Sequence, residues 1–184
     1  VVGRPNVGKS TLLNALLGTK VSIVTPKPQT TRTRILGILN RPNAQLVLVD
    51  TPGLCGPDTA LDKALRRVVG HAAQEADITL VVSEVGSLNR RMGAASSSGD
   101  ARLLIDERDK EVLRLAASTG HKMVIALNKI DILRSKEALL PVLAAYHEKY
   151  QPAALVPMSA LEHEGLDELV DELIGLLPES EQPL

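Results

Sequence analysis

Eight residues close to the start of the chain carry its strongest chemical signal: Gly3-Arg4-Pro5-Asn6-Val7-Gly8-Lys9-Ser10, with Thr11 next. Two glycines followed by a Lys-Ser pair give the G-x-x-x-x-G-K-[ST] spacing of a loop that cradles phosphates. Gly3 and Gly8 let the backbone turn its N–H groups inward onto phosphate oxygens. A helix starting at Lys9 adds unsatisfied N–H groups and the positive end of its dipole. Lys9 then supplies a point charge between the β- and γ-phosphates, and the Ser10 hydroxyl is placed to ligate Mg²⁺. The plain alternative is an ordinary Gly-containing turn. Gly makes up about 7% of residues in an average chain, so a match at these fixed offsets is hard to reach by chance.

A second group chooses the base. The apolar run at 123–127 ends in Asn128-Lys129-Ile130-Asp131. A carboxylate at Asp131 accepts both N1–H and N2–H₂ of guanine as a charge-assisted pair. Adenine has no matching donor pair, and the buried acceptor left unpaired would reject it. Asn128 is expected to tie this loop to the phosphate loop, and the Lys129 stem to lie across the base plane. Ser159-Ala160 follows the last expected strand, where a small residue lets a backbone N–H reach guanine O6.

A third group responds to the γ-phosphate. Asp50 ends an expected strand and is suited to hold Mg²⁺ through water. The Gly53 N–H can meet the γ-phosphate, and Thr30 and Thr31 are the candidate hydroxyls that close on Mg²⁺. Segments held only by γ-phosphate and Mg²⁺ relax after hydrolysis, which makes a two-state switch.

These residues need a scaffold, and the pattern supplies one. Helix 9–17 carries Leu12, Leu13, Leu16 and Leu17 on one face and stops at Gly18. Residues 19–33 read as a mobile loop. Stretches 34–39 and 45–49 form an antiparallel hairpin around Asn40-Arg41-Pro42-Asn43. A helix at 61–75, a buried strand at 78–82, and a flexible insertion at 84–101 follow. Helix 106–118, strand 123–127, helix 136–150, strand 154–157 and helix 166–177 complete the order. Strands alternating with helices predict an α/β chain with a mostly parallel sheet covered on both faces. Ligands of such sheets bind at the carboxyl ends of the strands.

Composition narrows the remaining classes. The 184 residues suit one α/β domain. With 21 Lys+Arg against 22 Asp+Glu, charge points to no polyanionic partner. Two Tyr without Phe or Trp predict an aliphatic core and leave little for base stacking. The single Cys55 excludes an intrachain disulfide and fits a reducing compartment. Four scattered His show no metal-ligand spacing. Only Val1-Val2 precede the loop, where a strand of about five residues is usual, so the first strand is expected to be truncated.

The phosphate loop, Gln29-Thr30-Thr31-Arg32-Thr33-Arg34-Ile35, Asp50-Thr51-Pro52-Gly53-Leu54, Asn128-Lys129-Ile130-Asp131 and Ser159-Ala160 stand in the order of the five motifs of small GTPases. The chain resembles the GTPase domain of the Era family, within the TrmE-Era-EngA-like group. Pro26-Lys27-Pro28-Gln29-Thr30-Thr31-Arg32 and Arg34-Ile35-Leu36-Gly37-Ile38 carry the narrower resemblance; related Der and MnmE GTPases have Gly-Thr-Thr-Arg-Asp where this chain has Gln29 and Thr33 at the two ends of the run.

The resemblance implies a P-loop NTPase three-layer sandwich, with a six-stranded sheet that is parallel except for one antiparallel hairpin strand. It implies a GTPase domain over 1–177 and, at 178–184, the start of a linker to a KH domain that these residues do not contain. It further implies GTP and GDP as ligands, Mg²⁺ on Ser10, Asp50 and Thr30 or Thr31, and catalysis by Lys9, Thr31 and Gly53. Asn6 becomes a candidate K⁺ ligand. Partners implied are 16S rRNA and the 30S subunit, reached mainly through the KH domain, with peripheral membrane association and a monomeric state. The localisation implied is cytoplasmic and bacterial-type, or organellar.

Two departures stand out. Leu54 occupies the position where Ras-type GTPases place a water-orienting Gln, so slow hydrolysis with water held by backbone groups is expected. Ser83 stands where an Asp is usual after the fourth strand. These leave two alternatives beside the Era reading: a Der- or MnmE-like GTPase, and a nucleotide-binding interaction module with little hydrolysis.

Overall fold

A computed structural model describes residues 1–18, 35–50, 76–86, 104–133 and 135–179. The expected switch residues Thr30, Thr31, Gly53 and Leu54, the helix at 61–75 and most of the 84–101 insertion lie outside the described residues.

The order of elements is β1 (Val2–Gly3), α1 (Lys9–Leu17), β2 (Ile35–Arg41), β3 (Ala44–Asp50), β4 (Ile78–Glu84), α2 (Glu107–Ser118), β5 (Lys122–Asn128), α3 (Leu139–Tyr150), β6 (Ala154–Pro157) and α4 (Leu166–Leu176). Short 3₁₀ turns at Ile130–Ile132 and Lys136–Ala138 lie between β5 and α3. Among the described residues, β1-β4-β5-β6 form a parallel four-stranded sheet, while β2 and β3 pair with each other. The described strands thus form two separate sheets and not the single six-stranded one expected, although the hairpin lies close to β1, with the Val1 nitrogen donating to the Val49 carbonyl at 2.7 Å.

Alternation along the strands builds the three layers. On β4 and β5, Val81, Met123, Ile125 and Leu127 point into a core shared with Val112 and Leu113 of α2 and Val142 and Tyr146 of α3. Their neighbours Leu80, Val82, Val124 and Ala126 point the other way, onto Leu12 and Leu13 of α1, Leu169 and Leu173 of α4, and Leu39, Leu46 and Leu48 of the hairpin. Both faces of these strands are therefore buried, as a parallel sheet requires. The core is aliphatic with one exception, since Tyr146 is fully buried.

Helix α1, which follows β1, packs on one face of the sheet, and α2, which comes after β4, packs on the other. The carboxyl ends of strands at such a change of face are where α/β sheets bind ligands. Among the described residues, no helix is long and apolar enough to cross a membrane.

Candidate functional site

The phosphate loop runs from the end of β1 to the first turn of α1. Asn6 adopts φ 64° and Gly8 φ 103°, two left-handed residues that fold the loop back on itself; Asn tolerates this region better than most residues. The glycines are required for separate reasons. A Cβ on Gly3 would sit 2.5 Å from the Val82 carbonyl oxygen of β4, and one on Gly8 would sit 2.2 Å from Asn128 Nδ2. Helix α1 starts with no side-chain cap, so its first N–H groups face the loop. Lys9 is buried, and its ammonium donates to the Gly3 carbonyl at 3.1 Å and the Arg4 carbonyl at 2.8 Å. The charge is thereby held over the loop's own backbone.

Asn128, the last residue of β5, knots three segments together. Its Nδ2 donates to the Val7 carbonyl at 2.8 Å, and its Oδ1 accepts the Ala160 N–H at 2.9 Å. The Ala160 amide, expected to face a base, is thus turned onto Asn128, because the buried carboxamide oxygen needs a donor. Ser159 is also buried and donates to Asp131 Oδ1 at 2.5 Å, which fixes that carboxylate from one side. Lys129 sits at φ 66° and its ammonium reaches the Asn6 carbonyl at 2.7 Å. The loop expected to read the base and the loop expected to hold phosphates are therefore one unit.

The residues expected to hold a metal are likewise adjacent. Asp50 ends β3 fully buried, and Ser10 Oγ donates to its Oδ2 at 3.4 Å. Two hard oxygen donors beside a helix N-terminus suit a small divalent cation bound together with phosphates. Pro5 and Val7 complete the loop, with Val7 buried beneath it, and Thr11 lies in the first turn of α1.

A model of the 50S ribosome-binding GTPase family matches residues 1–129. The chain belongs to that family. It is 42% identical over 182 residues to GTPase Era of Syntrophus aciditrophicus, covering 99% of this chain and 54% of that protein. To GTPase Era of Xanthomonas axonopodis pv. citri it is 43% identical, covering 98% and 55%. The chain thus spans about half the length of the curated relatives it matches. A crystal structure of Era with MgGDPNP and nucleotides 1506–1542 of 16S ribosomal RNA superposes with a TM-score of 0.83 at 36% identity, covering 100% of this chain and 57% of that one. An Aquifex aeolicus Era variant bound to GDP and AlF4⁻ gives 0.82 at 37%, covering 98% and 56%.

The chain also holds a polar cluster that no local motif announces. The Arg4 guanidinium, counted above only among the phosphate-loop residues, turns away from the loop and into the gap between β4 and α2. Its Nε donates to Asp109, and its Nη2 lies 3.6 Å from Asp106 and 3.7 Å from Glu84. Ser83 donates to the same Asp109 carboxylate and shares a 2.9 Å hydrogen bond with the Tyr146 hydroxyl. At the position where an acid is usual, a hydroxyl therefore serves an acid supplied by α2. Ser83 and Glu84 extend β4, so the sheet continues into what reads as the start of an insertion.

The two aspartates are driven in opposite directions. Burial raises the Asp109 carboxyl above its ordinary value and prevails over the hydrogen bond and charge of Arg4. Burial acts on Asp106 as well. There the side-chain and backbone hydrogen bonds of Arg108, with the charge of Arg4, overcome it and hold the carboxyl well below its usual range. Asp106 also caps α2, accepting the Arg108 N–H at 3.0 Å. The Asp106-x-x-Asp109 spacing at a helix start signals a cap, but nothing in it names Arg4 as the partner.

Proposed function

We propose that the chain is the GTP-binding and GTP-hydrolysing part of an Era-type molecular switch. The observation that carries this reading is the Asn128 knot. One carboxamide joins the phosphate loop at Val7 to the Ser159-Ala160 segment, next to a carboxylate that Ser159 orients. A site assembled this way couples occupancy of a guanine pocket to the shape of the phosphate loop.

In this reading the Lys9 ammonium and the loop N–H groups hold the phosphates. Asp131 accepts from guanine, and the Lys129 stem borders the base. Ser10 and Asp50 would hold Mg²⁺, with Thr30 or Thr31 joining them; bound there, Mg²⁺ neutralises charge on the phosphate oxygens. Thr31 and Gly53 supply the water-orienting groups in place of the Gln that Leu54 replaces. The solved Era complex with 16S rRNA nucleotides supports rRNA and the small ribosomal subunit as the setting, contacted largely through parts beyond this chain. A monomeric state, a cytoplasmic or organellar location and peripheral membrane contact belong to the same reading and rest on the resemblance alone.

The test is base selection. Asp131→Asn should weaken GTP about 100-fold or more and bring xanthosine triphosphate to comparable affinity, because the amide restores a donor–acceptor match only with the altered base. Filter binding and turnover with radiolabelled nucleotides read this. Unchanged tight GTP binding by Asp131→Asn would overturn the base-reading role, and absence of turnover in the parent would leave an interaction module instead of a switch.

A further inference from the structure

Glu84 is the last residue of β4 and lies in register with Asn128 across the β4–β5 ladder. That register sets its carboxylate beside the next residue of the base-reading loop. Its Oε2 accepts from the Lys129 ammonium, and its Oε1 faces Arg4 Nη2 at 3.7 Å. Lys129 Nζ donates in addition to the Asn6 carbonyl of the phosphate loop at 2.7 Å. A long and flexible ammonium is thereby fixed from two sides, by a loop carbonyl and by a strand-end carboxylate. Glu84 is in turn steadied by an arginine that Asp109 clamps.

We propose that Glu84 is a positioning residue for nucleotide retention: it orders the Lys129 side chain along the base pocket before the nucleotide arrives. The physical basis is preorganisation. A lysine already confined to one rotamer loses less freedom when a ligand settles against its stem, so the bound state is favoured and release is slowed. Glu84 touches no nucleotide atom in this scheme and acts through Lys129. The proposal rests on the reading of Lys129 as a border of the base pocket.

The experiment follows release of a fluorescent GDP analogue from the full chain. Four variants are compared with the parent: Glu84→Gln, Glu84→Asp, Lys129→Gln and the double variant Glu84→Gln/Lys129→Gln. The Glu84–Lys129 pair is partly exposed, so Glu84→Gln should release the analogue about three- to fivefold faster, in the range of such ion pairs. Glu84→Asp keeps the charge and should recover part of the loss. In the Lys129→Gln background, Glu84→Gln should add nothing, because the residue through which it acts is already gone.

Equal acceleration in both backgrounds would overturn the proposal, since Glu84 would then act as general scaffolding. A parental rate for Glu84→Gln, with Lys129→Gln fast, would overturn the proposal and leave the Lys129 reading intact. A parental rate for Lys129→Gln would refute both.

Discussion

Gly8 and Asn128 occupy the same small space: a Cβ built on Gly8 would lie 2.2 Å from Asn128 Nδ2. Residues 120 positions apart thus fit against each other without a methyl group to spare, at a backbone φ of 103° that side chains seldom adopt. Gly8→Ala should therefore strain the loop by about 1–3 kcal/mol. Pushing Asn128 aside also endangers its bond to Val7, worth about 1 kcal/mol more. Nucleotide binding should be lost and the urea midpoint lowered, as titration with labelled GDP and chemical denaturation would measure. An Ala variant that binds normally would show that the Gly8 loop and the Asn128 segment are not sterically coupled.

Arg4 and Asp109 form a pair whose side chains are 9% and 2% exposed. Removing one partner leaves an uncompensated buried charge, so Arg4→Met should cost about 3–5 kcal/mol in stability. Arg4→Met with Asp109→Leu should recover much of that loss, since two apolar groups of similar size leave no orphan charge. Urea denaturation of both variants checks the sign. A single variant as stable as the parent would mean that Asp109 does without Arg4, held by the Ser83 hydroxyl or neutralised by a proton.

The opposed shifts of the two aspartates predict a pH profile with two limbs of opposite sign. Asp106 is held below its ordinary value of 3.8, so its stabilising contribution is complete above that pH and disappears as pH falls beneath it. Asp109 is raised above 3.8. Between those two values the folded form binds more protons than the unfolded one, so stability falls as pH rises through that window. Asp106→Asn should flatten the acid limb below pH 3.8, and Asp109→Asn the limb above it. Melting temperatures measured across an acid-to-neutral series would show whether the limbs separate.

The elements that could be read from sequence are those whose signal is local. Helix α4 shows its 3.6-residue period through Leu166, Leu169, Val170 and Leu173, all buried as that period requires. Helix α1 ends at Gly18, which takes the left-handed conformation of a C-cap. The misplaced boundaries involve polar residues with distant or cross-strand partners. The hairpin extends to Arg41 and Ala44 because Gln45 Nε2 donates to Asn40 Oδ1 at 2.9 Å across the ladder, a polar pair that resembles a turn when read alone. Strand β4 runs on through Ser83 and Glu84 for the same reason: Asp109, Tyr146, Arg4 and Lys129 satisfy them from other elements. Those motif residues that are described stand together, Asn128 bonding to Val7 and Ala160 and Ser10 to Asp50. The Arg4 cluster obeys no such spacing and exists only in three dimensions.

Asn6 offers a prediction in which backbone and side-chain effects must be separated. It stands at φ 64°, a conformation that Asn accepts and Ala resists by about 1 kcal/mol or more, so Asn6→Ala would confound loop strain with loss of a K⁺ ligand. Asn6→Gly keeps the left-handed backbone available and removes only the carboxamide. If Asn6 holds K⁺ beside the phosphates, the parent should hydrolyse GTP at least about tenfold faster in KCl than in NaCl, the effect of roughly 1.4 kcal/mol of added charge stabilisation. Asn6→Gly should then hydrolyse at the slow rate in both salts while retaining GDP affinity. Multiple-turnover phosphate release at equal ionic strength reads the difference, and a parent indifferent to the cation would remove K⁺ from the mechanism.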